Sequence, residues 1–280
     1  MTFRIAQISD THLSPDHPQF TANFRRLAAA VVATAPDLVI HTGDISLDGA
    51  DREADFTHAA AEHAAAFAGL PWRVLPGNHD AGDNPAAGVR QPADAARHAR
   101  WCAAFGTDRF VADVPGWRLL GLNALIMGAD FPEAEAQYGF AAEAAAGTDG
   151  RSLALFLHKP LFLDEPAENA PGYWVVPHAP RQRLFAALAP TPPVLVACGH
   201  VHQFRDRDLA GARHVWAPAT SFIVGDTWQE SFGTKVLGWV EHHLEPDGRF
   251  DSRLRTVDGL ALHDIGAMPG VYGPMKPLAG

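Results

Sequence analysis

The sequence predicts a layered α/β fold. Short apolar runs alternate along the 280 residues with longer segments of helical composition, and this alternation is typical of strands and helices that pack in layers. The alanine-rich stretches 59–68 and 141–146 favour helix, because alanine has the highest helix propensity. No repeat or long linker interrupts the pattern, so we expect one large domain.

The order of the elements follows from their apolar runs and from the residues that separate them. The predicted helices include about 20–34 and 51–68, and the predicted strands are 3–8, 38–40, 72–75, 118–123, 152–157, 193–198, 213–216 and 235–244. Pro36 and Asp37 separate the first helix from the second strand. Gly69 and Pro71 separate the second helix from the third strand, because both residues favour turns over helix.

The last segment differs in composition from the rest. Residues 259–280 contain several glycines and prolines, which favour irregular structure. We therefore expect a domain of residues 1–258 followed by a C-terminal arm of residues 259–280. Such an arm packs on the surface or on a neighbouring subunit, and the second arrangement would make the protein a homo-oligomer.

Charge and cysteine content exclude several classes of protein. The formal net charge is −10 and no run of lysine or arginine occurs, which argues against a broad nucleic-acid-binding surface. Two cysteines form neither a disulfide framework nor a paired metal motif. The apolar run 3–8 lacks the basic and long apolar regions of a signal peptide or membrane span. We expect a cytoplasmic protein that does not enter a membrane.

Polar residues with metal-binding side chains follow five of the predicted strands. They lie in the motifs Asp10-Thr11-His12, Gly43-Asp44, Gly77-Asn78-His79-Asp80, His158 and Gly199-His200-Val201-His202. The carboxyl ends of strands are where crevices form in layered α/β proteins. Residues two apart in extended chain project to the same side, so Asp10 and His12 can converge on one place. The sequence therefore predicts a binding site at this edge.

The donor types indicate two metal ions side by side. Carboxylates, an amide and imidazoles form a mixed set that suits transition metals. Asp44 stands alone in its motif, and its two oxygens can bridge two cations about 3.5–4 Å apart. Water between two such ions loses a proton near neutral pH and becomes a nucleophile.

In this order, the five motifs resemble those of the calcineurin-like metallophosphoesterase superfamily, whose pattern is D-x-H, G-D, G-N-H-[DE], H and G-H-x-H. As a whole, the chain resembles the cyclic-nucleotide and glycerophosphodiester phosphodiesterase branch of this superfamily. The resemblance implies a four-layer αββα sandwich of two mixed β-sheets flanked by helices. It also implies a dinuclear-metal-dependent phosphodiesterase that hydrolyses a small phosphodiester by attack of a metal-bridging hydroxide.

The resemblance further implies roles for individual residues. One metal would be held by Asp10, His12, Asp44 and His202, and the second by Asp44, Asn78, His158 and His200. His79 would be the catalytic residue that stabilises the developing charge or protonates the leaving oxygen. The metals usual in the family are iron, manganese or zinc, and the sequence does not choose among them.

Some features leave alternatives open. Lys159 follows His158 where many related diesterases have a second histidine, and it adds a positive charge near the site. A phosphomonoesterase would use the same metals, and a non-catalytic metal-binding interaction module would keep the fold. A nuclease is disfavoured by the acidic balance.

Residues outside the motifs receive structural or cleft-lining interpretations. His41 is expected to be a packed strand-end residue, and His58, His63 and His98 to lie on helix surfaces. The loop 13–20 and the stretch 164–180 are expected to border the cleft. Tyr173 or Trp174 in that stretch can stack on a nucleobase or anchor the loop.

Overall fold

Eleven strands and seven α-helices make up most of the regular structure. The computed structural model describes residues 1–85, 89–169 and 173–278, and these counts refer to that part of the chain. The strands are β1 (Phe3–Ile8), β2 (Leu38–His41), β3 (Trp72–Val74), β4 (Phe110–Val114), β5 (Trp117–Gly121), β6 (Ser152–Phe156), β7 (Leu195–Cys198), β8 (Arg205–Leu209), β9 (Ala212–Trp216), β10 (Trp239–Leu244) and β11 (Phe250–Arg255). The helices are α1 (Pro18–Ala33), α2 (Glu53–Ala66), α3 (Asn78–Ala81), α4 (Ala95–Phe105), α5 (Pro132–Ala146), α6 (His178–Leu188) and α7 (Pro269–Tyr272).

The strands form two mixed sheets. The first sheet has the order β11-β10-β1-β2-β3, in which β1, β2 and β3 are parallel and β10 runs antiparallel to β1. The second sheet has the order β4-β5-β6-β7-β9-β8, with a parallel centre and an antiparallel strand at each edge. The parallel strands of each sheet all end at one edge, where their loops carry the candidate site.

Three apolar interfaces show how the layers stack. Ile5 and Ile40 of the first sheet pack with Phe156 of the second sheet, so the sheets face each other. On the outer face of the first sheet, Phe24 and its neighbours pack under α1, α2 and α4. On the outer face of the second sheet, Leu184 and its neighbours pack under α5 and α6. This confirms the expected four-layer αββα sandwich of two mixed sheets flanked by helices.

All of the predicted strands and both bounded helices are present, with small differences at their ends. Sequence reasoning missed three strands, β4, β8 and β11, and each of them lies at the edge of a sheet. It also gave no bounds for α4 and α6. None of the helices in the described residues is long and apolar enough to cross a membrane.

Two histidines that the sequence places on helix surfaces are buried instead. His63 is 1% exposed and His98 is 8% exposed, so the prediction is wrong for both. His63 lies on the face of α2 that carries Phe56 and Ala59, at helical spacing. Its ring stacks on Phe24 of α1 with centroids 4.8 Å apart. Neither of its ring nitrogens has a hydrogen-bond partner among the described residues.

Replacing His63 with leucine is expected to stabilise the protein, increasingly so at low pH. Burial lowers the pKa of His63 to about 3, whereas the unfolded chain protonates it near pH 6.5. The unfolded state therefore binds the extra proton between these values, and wild-type stability falls by up to about 1.4 kcal/mol per pH unit below 6.5. Removing the imidazole, which has no hydrogen-bond partner, should also raise the free energy of unfolding by about 1 kcal/mol at pH 7.

Urea unfolding of wild type and His63→Leu at pH 7.5 and pH 5.5 measures both effects. The matched control is His58→Leu, because His58 is half-buried on the same helix and bonds through Nε2 to the Thr21 hydroxyl at 3.0 Å. A stability difference between wild type and His63→Leu that is the same at both pH values would contradict the prediction.

Candidate metal centre

The loops that follow β1, β2, β3, β6 and β7 meet at one place between the two sheets. Backbone hydrogen bonds join them: the Asp10 amide donates to the Gly43 carbonyl at 3.0 Å, and the Gly199 amide donates to the His158 carbonyl at 2.9 Å. The two sheets are linked directly, because the His200 amide donates to Asp10 Oδ2 at 3.1 Å. The structure thus brings all seven predicted ligand residues and His79 to one edge.

A first group of ligand atoms comes from Asp10, His12, Asp44 and His202. Their ligand atoms all lie within 4.8 Å of one another, and all four residues are buried. His202 Nε2 is 3.3 Å from Asp10 Oδ1 and 3.2 Å from His12 Nε2. His12 Nε2 is 3.8 Å from Asp44 Oδ2.

A second group comes from Asp44, His158 and His200. His158 Nε2 lies 3.3 Å from Asp44 Oδ2 and 3.2 Å from the side-chain oxygen of Asn78. Asp44 belongs to both groups, and its Oδ2 faces imidazole nitrogens of each. Its Oδ1 accepts a hydrogen bond from the His79 amide at 2.8 Å.

These donors fit metal ions. Asp10 Oδ1 is buried and has no hydrogen-bond partner among the described residues, although a buried carboxylate oxygen normally has one. Ligand atoms about 2.0–2.2 Å from a common ion lie roughly 3–3.5 Å from each other, which is close to the 3.3 Å between His202 Nε2 and Asp10 Oδ1 and the 3.3 Å between His158 Nε2 and Asp44 Oδ2. The mixture of carboxylate oxygens and imidazole nitrogens suits transition metals.

Three of the histidines are oriented by backbone carbonyl groups. His158 Nδ1 lies 2.8 Å from the Thr42 carbonyl oxygen, and His202 Nδ1 lies 2.9 Å from that of Phe222. His200 Nε2 lies 2.8 Å from the Tyr173 carbonyl oxygen. A carbonyl can only accept, so each ring donates an N–H there and directs its other nitrogen, the one that would ligate a metal, at the centre.

The charges of the centre follow from burial and from neighbours. Burial holds the pKa of His12 and of His200 well below the usual value, so both rings are neutral and able to ligate. Burial alone would raise the pKa of Asp44, but His158 and His79 lower it well below its usual range. Burial alone would lower the pKa of His158, and Asp44 instead raises it to about 9.

The backbone is strained at the predicted ligands. In the described residues, eight non-glycine residues have positive φ, and five of these are predicted ligands: Asp10 (54°), His12 (44°), Asp44 (52°), His200 (69°) and His202 (59°). Such conformations cost roughly 1–2 kcal/mol each for L-residues and cluster at functional sites.

Glycines allow the loops to approach each other closely. A Cβ atom on Gly77 would lie 2.1 Å from Asp44 Oδ1, and one on Gly199 would lie 1.9 Å from Ser9 Oγ. Neither position accepts a side chain without displacing the loop beside it. The glycines of the motifs are therefore required by packing around the predicted ligands.

Asp80 connects two of these loops, a role that sequence reasoning did not give it. Its carboxylate accepts hydrogen bonds from the amides of Ile45 at 3.0 Å, Ser46 at 2.9 Å and Gly77 at 2.9 Å. Burial raises its pKa to about 7. The position three residues after Gly77, at the start of a short helix, is the signal that could have identified this cap.

A cleft of about 500 Å³ opens above the centre. His79, Tyr173 and Trp174 line it, as the sequence predicts for the stretch after His158. Asp16 and His17 border an adjoining cavity that shares His79 with the cleft. His41 ends β2 and is buried, with Nδ1 accepting from the Gly43 amide at 3.1 Å, which confirms its structural role.

Lys159 does not face the cleft. It is fully buried, and its ammonium lies 2.5 Å from Asp83 Oδ1. The ammonium is 5.3 Å from the centre of the Tyr173 ring, which lines the cleft. The positive charge noted in the sequence is thus paired within the protein.

Comparison with known proteins agrees with this geometry. A model of the calcineurin-like phosphoesterase family matches residues 3–204. The chain is 31% identical over 268 residues to the 3',5'-cyclic adenosine monophosphate phosphodiesterase CpdA of Escherichia coli K12, covering 91% of this chain and 90% of that protein. It is 28% identical over 272 residues to CpdA of Pseudomonas aeruginosa, with the same coverage.

Structural similarity extends to more distant proteins. A dimetal phosphatase from Danio rerio has a TM-score of 0.59 at 14% sequence identity, covering 90% of this chain and 96% of that one. At this identity the likeness concerns the fold. The family model over residues 3–204 and the 31% identity over nearly the whole chain show that the protein belongs to the calcineurin-like phosphoesterase family and is a metal-dependent phosphoric ester hydrolase.

Proposed function

We propose that this protein is a dinuclear-metal-dependent phosphodiesterase whose substrates are 3',5'-cyclic nucleotides or similarly small phosphodiesters. The observation that carries the metal assignment is the position of Asp44, whose Oδ2 faces both ligand groups. The substrate class is supported by the CpdA relatives, which are named as cyclic-AMP phosphodiesterases and match nearly the whole chain.

In this proposal, each group of ligands holds one ion. Asp10, His12, Asp44 and His202 hold the first, and Asp44, Asn78, His158 and His200 hold the second. When bound, the two ions, which we expect to be iron, manganese or zinc, supply Lewis-acid stabilisation of the phosphate and acidify water at the centre. The chain supplies a rigid, water-poor frame, because the carboxylates and imidazoles are buried.

His79 is proposed as the catalytic residue. Its amide is fixed by Asp44 Oδ1, whereas its ring lines the cleft, 5.0 Å from the His12 ring between centroids. The ring can therefore contact a phosphate that lies above the ligands. There it would donate a hydrogen bond or a proton to the oxygen that leaves when the phosphorus–oxygen ester bond breaks.

Tyr173 and Trp174 suit the nucleobase of a cyclic nucleotide. Tyr173 is 42% exposed and Trp174 is half-buried, and their rings contact each other with centroids 4.8 Å apart. Both line the same cleft as His79. A nucleobase stacked there would place its attached cyclic phosphate toward the ligands. A glycerophosphodiester would use the centre without this stacking.

Hydrolysis by metal-stripped protein refilled with Mn²⁺ tests the proposal. Cyclic AMP and bis(p-nitrophenyl) phosphate are expected to be hydrolysed faster than p-nitrophenyl phosphate, with no turnover before Mn²⁺ is added. His79→Ala should lower kcat by about 10²–10⁴-fold with unchanged metal content. His178→Ala, at the half-buried start of α6, is the matched control.

Two other results would contradict the proposed phosphodiesterase activity. Faster hydrolysis of the monoester would make the protein a phosphomonoesterase with the same site. No hydrolysis of any ester while both ions are bound would favour a metal-binding interaction module, and the proposed function would be abandoned.

A further inference from the structure

The C-terminal arm, residues 259–278 of the described chain, packs against the candidate metal centre of its own chain. The Ile223 amide donates to the His263 carbonyl at 2.9 Å, and the Ile265 amide donates back to the Ile223 carbonyl at 3.0 Å. Ile265 packs in an apolar cluster with Phe20 and Phe222. These contacts place α7 beside the cleft.

Tyr272, at the end of α7, contacts both His12 and Leu47 through its hydroxyl group. Its hydroxyl lies 2.8 Å from His12 Nδ1 and 3.3 Å from the carbonyl oxygen of Leu47. The carbonyl can only accept, so the tyrosine hydroxyl donates its proton to Leu47. The hydroxyl oxygen then accepts the Nδ1–H of His12. This arrangement leaves His12 Nε2 without a proton and directed at Asp44 and His202.

His12 differs from the other candidate histidine ligands in this respect. His158, His200 and His202 are each oriented by a backbone carbonyl group, which no substitution removes. The orienting group for His12 is a side chain located 260 residues away in the sequence. A single substitution can therefore remove it without altering any proposed ligand.

We propose that Tyr272 is a positioning residue that fixes the tautomer and ring orientation of His12, so that the C-terminal arm completes the metal centre. The proposal rests on the proposed function in one respect, the assignment of His12 as a metal ligand. Outer groups that orient a ligating histidine typically contribute 10–100-fold to metal affinity.

The Tyr272 ring has a separate role that the test must leave intact. It packs on the His79 ring with centroids 4.8 Å apart and an angle of 32° between the planes. Phenylalanine preserves this contact and removes only the hydroxyl. Tyr272→Phe is therefore the informative variant.

Equilibrium dialysis of the metal-free full-length protein against Mn²⁺ is the first measurement. Tyr272→Phe should bind one of the two ions about 10–100-fold more weakly than wild type and the other ion normally. The thermal midpoint of the metal-free protein should be unchanged. Nitrogen-15 NMR of the histidine rings should show His12 protonated at Nδ1 in wild type and distributed over both nitrogens in the variant.

Tyr138→Phe provides a matched control. Tyr138 lies in α5, in the apolar cluster on the outer face of the second sheet, and its hydroxyl has no hydrogen-bond partner among the described residues. This variant removes the same atom from a buried tyrosine without contacting the centre. Its affinity for both ions should equal that of wild type.

The outcomes separate this proposal from the proposed function. Equal affinities and an unchanged His12 tautomer in Tyr272→Phe would overturn the positioning role, even if the protein hydrolyses cyclic AMP. A lower thermal midpoint with an unchanged tautomer would mean that the hydroxyl only stabilises packing, which also overturns it. Selective loss of one ion supports the proposal, even if no phosphodiester is hydrolysed.

Discussion

Asp44→Ala should abolish hydrolysis and weaken the binding of both metal ions at once. Asp44 Oδ2 lies 3.8 Å from His12 Nε2 in one ligand group and 3.3 Å from His158 Nε2 in the other. We expect a loss of activity of at least about 10³-fold, the upper range for removal of one electrostatic group from an active site. Activity assays and metal analysis after dialysis measure the two effects.

Two further variants make this prediction specific. Asp44→Asn keeps the size of the side chain and should still lose both ions, because the negative charge that both ligand groups share is gone. Asp208→Ala removes a carboxylate from the exposed part of β8 and should change neither activity nor metal content. Normal binding of one ion in Asp44→Ala would contradict the shared position of this carboxylate.

Lys159→Met should lower the free energy of unfolding more than any other substitution named here. The Lys159 ammonium is fully buried and lies 2.5 Å from Asp83 Oδ1. Removing one partner of a buried ion pair leaves the other charge without compensation, which costs about 3–5 kcal/mol. For a protein of this size, the thermal midpoint should fall by roughly 10 °C.

A double-mutant cycle separates the pair from other contacts of Lys159. Adding Asp83→Asn to Lys159→Met should recover part of the lost free energy of unfolding, because the uncompensated charge is then absent. Arg25→Met is the matched control: Arg25 Nη2 lies 2.6 Å from Glu62 Oε1, but the arginine side chain is 66% exposed. Arg25→Met should lower the free energy of unfolding by less than about 1 kcal/mol. A similar loss of free energy of unfolding in Lys159→Met and in Arg25→Met would refute the prediction.

The sequence predicted the centre of the fold better than its edges. β1 and β6 are mostly buried strands of mainly apolar residues, which the sequence pattern detects readily. β8 reads Arg-Asp-Arg-Asp-Leu and is a strand because it pairs with β9. An edge strand is exposed along one side and can carry charges, so its sequence alone does not distinguish it from a loop.

In the candidate site too, the sequence predicted residues in local motifs better than residues whose position depends on distant contacts. Local motifs identified the residues that the structure brings together, since each of them follows a strand. Tyr272 gave no such signal, because its contact with His12 depends on how a distant segment docks. His63 was misplaced because histidine occurs both at the surface and in the interior of proteins, so residue type alone does not show that it occupies the apolar face of α2.

The topology of the first sheet affects the order in which the protein can form during synthesis. β1 lies at the centre of this sheet, and one of its two neighbours is β10, which begins at residue 239. At about 5–20 residues per second, β10 is synthesised roughly 10–50 s after β1. Throughout this interval, one edge of an apolar strand lacks its partner and can pair with another chain. Nascent chains shorter than about 240 residues should therefore be the forms most prone to aggregate and most dependent on chaperones.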